Sequence, residues 1–141
     1  MTRQELLDEW LKRLEAPESV QFTGALADAN GPGRCCLGHA CEAYIALGGR
    51  LEVTRMSDAG LLETNKLGAV RAVLAYNGAC MTLPETVADT LGLRDIAGEY
   101  SPTESQTESL ANNNDSGLTL PEIARIIRAR PWGLFKEEGE A

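Results

Sequence analysis

The stretch Arg34-Cys35-Cys36-Leu37-Gly38-His39-Ala40-Cys41-Glu42-Ala43-Tyr44 constrains this chain more than any other. It holds three of the four cysteines and the only histidine. Asn30-Gly31-Pro32-Gly33 delivers the chain into it and Gly48-Gly49 releases it, so the spacing predicts a short helix between glycine turns. On that helix Cys36, Leu37, Ala40, Cys41, Tyr44 and Leu47 share one wide apolar face. Cys35 and His39 sit one turn apart on the other side. The bland reading of the thiols is that they are small buried hydrophobes.

Helix-start chemistry recurs along the chain. Thr2-Arg3-Gln4-Glu5 is a capping box, followed by Leu6, Leu7, Trp10, Leu11 and Leu14 at helical spacing and stopped by Pro17. Thr82-Leu83-Pro84-Glu85 and Thr119-Leu120-Pro121-Glu122 read as two further capping boxes, opening helices through Val87, Ala88 and Leu91 and through Ile123, Ala124, Ile126 and Ile127. Ser101-Pro102-Thr103-Glu104 also suits a helix start with proline at the first position, which predicts a polar surface helix to about Ala111. Asn112–Gly117 reads as a turn.

The extended elements are shorter. Val20–Leu26 is an irregular or extended piece. Arg50–Thr54 alternates as a half-buried strand does. Asn77-Gly78 lies between the apolar runs 69–76 and 79–83 and predicts a β-hairpin, because both turn positions tolerate positive φ. Residues 57–67 remain open between loop and a short helix capped by Asp58. Trp132, Leu134 and Phe135 are expected to fold back onto the core after Pro131.

These elements predict one α+β domain over residues 1–135: four or five helices packed on a small antiparallel sheet containing the Asn77-Gly78 hairpin. A frayed acidic tail is expected at 136–141. A chain of 141 residues can bury a core, and at 43% hydrophobic it is not a disordered one. Few aromatics leave Leu, Ile, Val and Ala to build that core. The net charge of −8 disfavours nonspecific binding to phosphate backbones and anionic membranes. No apolar run reaches membrane-spanning length, and Met1–Glu5 lacks a signal-peptide core, so the expected location is the cytoplasm with reduced thiols.

The candidate chemistry is thin. Zinc would need four ligands converging on one point, but Cys35 and His39 face away from Cys36 and Cys41, so neither metal nor cofactor is expected. A thiol nucleophile at Cys35 or Cys36 would benefit from a helix dipole, yet its only histidine lies on the same helix. No carboxylate pair stands out among Asp58, Glu63, Glu85, Asp89, Asp95 and Glu99. Gly31-Pro32-Gly33 before a helix, with Arg34 beside it, suits an anion at a helix N-terminus but lacks the Lys-Ser/Thr of a P-loop. Thr119–Arg130 is locally basic through Arg125, Arg128 and Arg130, but no recognition helix follows, so nucleic acid is not an expected partner.

Three motifs in order, Cys35-Cys36-Leu37-Gly38-x-x-Cys41, then Leu83-Pro84-x-x-Val87 with Leu91-Gly92-Leu93, then Leu110-x-x-Asn113-x-Asp115-x-Gly117-x-Thr119-x-x-x-Ile123-Ala124, resemble a group of small, mostly uncharacterised bacteriophage and prophage proteins. His39 stands where that group has an apolar residue, Asn113-Asn114-Asp115 replaces Leu-Asn-Asp, and Leu120 replaces Phe. The resemblance implies a small α+β domain and a phage setting in the host cytoplasm, and no reaction. Phage accessory proteins of this size often inhibit or sequester a host component, including defence proteins and their nucleotide signals. The expected function is therefore noncatalytic binding of a host protein or a small anionic ligand, through a surface of Gly31, Gly33, Arg34, Cys35 and His39. The alternative is a cysteine-dependent enzyme using Cys35 or Cys36.

Overall fold

Thr2 starts the first helix as its capping box predicts. Its hydroxyl accepts from the Glu5 amide at 3.1 Å, and the Glu5 carboxylate accepts from the Thr2 amide at 2.9 Å. The computed structural model describes residues 1–57 and 72–137 of the chain. Among them are five helices and two two-stranded antiparallel sheets, an α+β arrangement. In chain order these are α1 (Arg3–Glu15), α2 (Cys36–Ala46), β1 (Val53–Ser57), β2 (Ala72–Tyr76), α3 (Glu85–Leu91), β3 (Glu99–Thr103), β4 (Gln106–Ser109), α4 (Leu110–Asp115) and α5 (Leu120–Ala129).

The helices form the main core. α1 buries Leu6, Leu7, Trp10, Leu11 and Leu14 and packs against α2, α3 and α5. α5 answers with Leu120, Ile123, Ala124 and Ile127, and Thr119 caps it through a second capping box with Glu122. α2 lies deepest: Cys36, Leu37, Ala40, Cys41 and Ala43 are wholly removed from solvent. Each large buried aliphatic side chain here stabilises the fold by about 1.5–3 kcal/mol relative to exposure. A smaller cluster of Ala25, Val73, Ala75 and Cys80 lies against β2, with Phe22 and Met56 packed on it.

β2 is the middle of the first sheet. β1 pairs along one edge, from Val53 opposite Tyr76 to Ser57 opposite Ala72. On the other edge Ala29 donates to the Ala72 carbonyl and Leu74 donates to that of Ala27. Asn77 and Gly78 have φ of 52° and 82°, the two positive values that their turn requires. Tyr76 and Ala79 exchange both backbone hydrogen bonds across it. The predicted hairpin stops there. β2 takes its partner from β1 instead, and Cys80 turns away so that its carbonyl accepts from Leu26 at 2.7 Å.

Several sequence expectations give way to long-range contacts. The strand expected at Arg50–Thr54 begins at Val53, because its register is set by β2, and it is an exposed edge rather than half-buried. The helix expected from Ser101 to Ala111 is the β3–β4 hairpin. Tyr100 is buried there, with its hydroxyl donating to Asn113 at 2.7 Å, and Ser101 donates its amide to the Trp132 carbonyl at 2.8 Å. These contacts outweigh a purely local Ser-Pro signal. Asn112–Gly117 is largely α4, capped by Ser109, rather than a turn.

Thr82 is not a cap, although its sequence matches that of Thr119. The Leu83 amide is taken by the Ile96 carbonyl at 3.0 Å, which holds the residue before Pro84 extended, so α3 starts two residues later with Pro84 as its N-cap. Leu134 and Phe135 do return to the core, but Trp132 is 78% exposed. The backbone amide of Lys136 donates to the Gly92 carbonyl at 2.7 Å. Residues 58–71 and 138–141, which include Asp58, Glu63, most of the segment read as loop or helix and the end of the tail, lie outside the described residues.

Candidate functional site

Gly31, Gly33 and Arg34 form the loop that leads into Cys35 and His39, and Arg34, Cys35 and His39 are each held from within. Arg34 is the internal cation of its own loop. Its Nη1 donates to the carbonyls of Asp28, Gly31 and Gly33 at 3.3, 3.1 and 2.8 Å, and its Nε donates to Glu42 at 3.2 Å. The same Glu42 oxygen accepts the Tyr76 hydroxyl at 2.5 Å. Arg34, Glu42 and Tyr76 therefore clip the loop, α2 and β2 together. Burial first, then the hydrogen bond to the Glu42 carboxylate, pushes the Tyr76 hydroxyl well above its usual pKa, so it stays protonated as donor.

Cys35 is the N-cap of α2 rather than part of its first turn, and its thiol accepts from the Gly38 amide at 3.3 Å. The next free amide at this helix start, that of Cys36, donates to Asn114 Oδ1 at 3.1 Å. An anion-binding helix N-terminus needs amides open to solvent. Here they are spent inside the protein. Burial pushes the Cys35 thiol up to about 11 and the Cys36 thiol well above its ordinary value. The helix dipole is too weak to offset that desolvation, so these are unionised thiols at neutral pH. The Cys36 thiol donates to the Leu110 carbonyl at 3.4 Å.

His39 is 5% exposed rather than on an outward face, and the Val20 carbonyl lies 3.1 Å from its Nε2. A carbonyl only accepts, so Nε2 carries the proton. Burial lowers the His39 pKa below 6.5, with Arg13 and Arg34 adding to the effect against the Val20 bond and Glu42. The unfolded chain therefore binds a proton near pH 6.5 that the native chain resists, and stability falls as pH drops through that value toward the lower folded pKa. Urea melts from pH 7.5 to 5.5 should show this loss, and His39→Gln should flatten it. An unchanged pH profile in the variant would contradict the buried neutral imidazole.

Asn114, which sequence reasoning placed in a turn, is the polar centre of this region. It is fully buried on α4. Besides Cys36, its Oδ1 accepts from Gln21 Nε2 at 2.9 Å, while its Nδ2 donates to the Phe22 carbonyl at 2.8 Å. One amide thus joins α2, α4 and the segment at 21–22. The only available signal was an asparagine inside a run that can also be read as one turn of helix.

The open surface lies elsewhere, around Trp132, which Pro131 and Gly133 hold out from the core. On one side is a cleft of about 520 Å³ lined by Ser101, Pro102, Thr103, Glu104 and Trp132. A second, of about 470 Å³, includes Arg94, Asp95, Glu99, Trp132 and Glu137, and a third, of about 230 Å³, includes Arg94, Arg130, Trp132, Lys136 and Glu137. Two of the three arginines of the α5 region are engaged: Arg128 pairs with Glu15 at 2.6 Å, and Arg130 stacks over the Phe135 ring at 4.4 Å. Among the described residues no cluster of His, Cys, Asp and Glu is arranged to hold a metal, and no helix is long and apolar enough to cross a membrane.

No family model, curated protein or solved structure matches the chain.

Proposed function

We propose that this is a noncatalytic binding protein that acts inside a phage-infected cell by docking onto a host protein, with a defence protein as the target class, through the face around Trp132. The observation that carries this reading is the 78% exposure of Trp132, which lines three open clefts. An indole left in water costs several times more hydrophobic free energy than a small side chain would, and tryptophan is among the residues that dominate binding energy when a partner covers them. The phage setting rests on the order of the three sequence motifs.

The competing cysteine-enzyme reading wants an accessible thiolate beside a base. What weighs against it is that Cys35, Cys36 and Cys41 are buried and that burial raises their pKa values. Capture of a small anion at Gly31–Arg34 is the other reading. It would require Arg34 to exchange three loop carbonyls for the ligand.

The test is a comparison of variants. Immobilised protein, Trp132→Ala and Arg34→Glu are exposed to host lysate, and any retained protein is purified and titrated against all three. The expected result is an affinity loss of roughly tenfold or more with Trp132→Ala at unchanged melting temperature. Retention indifferent to Trp132 but abolished by Arg34→Glu would move the site to the loop.

A further inference from the structure

We infer that the cleft between the β3–β4 turn and Trp132 receives a basic side chain, arginine or lysine, from the protein partner. This rests on the reading of the Trp132 face as the docking surface, and it adds the chemistry of what docks there.

The cleft has three components. Its wall is the exposed indole of Trp132, whose face attracts a cation through the ring quadrupole, more strongly for tryptophan than for any other side chain. Its floor carries Pro102, an apolar surface for the methylene stem of a long basic side chain. Its rim carries Glu104, exposed at the hairpin turn and without an ion pair or hydrogen bond among the described residues. A carboxylate and an indole lining one cleft supply the two kinds of group that hold a guanidinium or ammonium.

The charges on the β3–β4 side of Trp132 favour the same sign of ligand. Asp95, Glu99 and Glu137 line the second cleft against Trp132, with Arg94 as the single guanidinium there. Arg94 Nε already donates to the Phe135 carbonyl at 3.2 Å, and the nearby Arg130 is stacked over the Phe135 ring. Arg94 and Arg130 are thus engaged at Phe135; with Lys136 they line the third cleft beside Trp132, whereas the cleft at the β3–β4 turn is lined by Glu104 and, among the described residues, by no cation. With a net charge of −8 the whole molecule adds a field that attracts a basic segment and repels an acidic one.

The probe is a set of short blocked peptides alternating glycine with arginine, lysine or glutamate, titrated into isotopically labelled full-length protein at low and moderate salt. The readout is the indole N–H signal of Trp132, distinguished from that of buried Trp10 by its absence in Trp132→Ala. Arginine and lysine peptides should move the Trp132 signal saturably and leave Trp10 in place, and the glutamate peptide should do nothing. Glu104→Gln should weaken the arginine peptide by about threefold with no change in melting temperature, since Glu104 is exposed. The inference is overturned if the glutamate peptide moves the same signal, if Trp132 does not respond, or if Glu104→Gln leaves the affinity unchanged. If the lysate partner is lost with Trp132→Ala while the arginine peptide leaves the indole unmoved, the docking face stands and the preference for a cation is wrong. Loss of neither would take both readings down together.

Discussion

Gly38→Ala is expected to destabilise the protein by about 3 kcal/mol or more, the opposite of what helix propensity says. In an ordinary helix interior this change gains roughly 1 kcal/mol. Here a Cβ at position 38 would lie 2.0 Å from the Leu26 carbonyl oxygen and 2.9 Å from its carbon. Those are backbone atoms with nowhere to go. The Leu26 carbonyl accepts from the Cys35 amide at 2.9 Å, its own amide donates to Cys80 at 2.7 Å, and its side chain is fully buried. Opening the contact to van der Waals distance means moving α2 or the segment around Leu26 by about an ångström, with loss of hydrogen bonds on both sides. Urea unfolding of Gly38→Ala beside Ala46→Gly, an exposed position near the end of α2, checks the argument. Ala46→Gly, at the last residue of the helix, should cost no more than about 1 kcal/mol by propensity alone. A Gly38→Ala protein as stable as the parent would mean that Leu26 does not approach the helix so closely. The glycine of the Cys-Cys-Leu-Gly motif is on this account a contact residue, not a turn residue.

Asn114→Ala should be nearly as damaging, at roughly 3 kcal/mol, from about 1–3 kcal/mol for each buried polar group left without a partner. The substitution strands the buried Cys36 amide at the start of α2 and removes the Asn114 Nδ2 hydrogen bond to the carbonyl of half-buried Phe22. Gln21 is spared in part, because its Nε2 also donates to the Leu118 carbonyl at 2.8 Å. Asn112→Ala, exposed on the same short helix, should fall within about 0.5 kcal/mol of the parent. The measurement is the denaturation midpoint of each variant, with the slope checked for constancy. Equal stability of the two alanine variants would remove Asn114 from its central role. Total stabilities of single domains are only about 5–15 kcal/mol, so either core substitution removes a large share.

The position of Asn114 also explains why the loop site looked better in the sequence than in the structure. A glycine loop feeding a helix, with an arginine beside it, has the residue types of an anion site. Whether the amides face solvent depends on what caps them. Here the caps are a thiol from the neighbouring residue and a carboxamide from α4, with Arg34 turned back onto its own loop. None of these orientations follows from spacing. The thiols were legible as core residues, because a cluster of small apolar groups on a short helix fits a packed interior better than a tetrahedral metal shell. His39 was misplaced because α2 is enclosed on all sides from Cys36 to Cys41, where both faces of the helix are interior.

What the sequence determined by itself are the features written within about one turn of chain. The capping boxes at Thr2 and Thr119, the stop before Pro17, the positive-φ turn at Asn77-Gly78 and the apolar faces of α1 and α5 all rest on neighbours three or four residues apart. Their physics is local, so the pattern suffices. The tertiary structure decided everything whose partner is remote. It decided that Thr82 caps nothing while its twin Thr119 does, because Ile96 claims the intervening amide. It turned a helix signal at Ser101 into a strand through Trp132, and it set Asn114 against Phe22, 92 residues away. It also left Trp132 in solvent, since the Pro131–Gly133 bend that pairs its carbonyl with Ser101 directs the indole outward. Buried backbone groups must find partners wherever the packing puts them, and that requirement outweighs a propensity of a few tenths of a kcal/mol per residue.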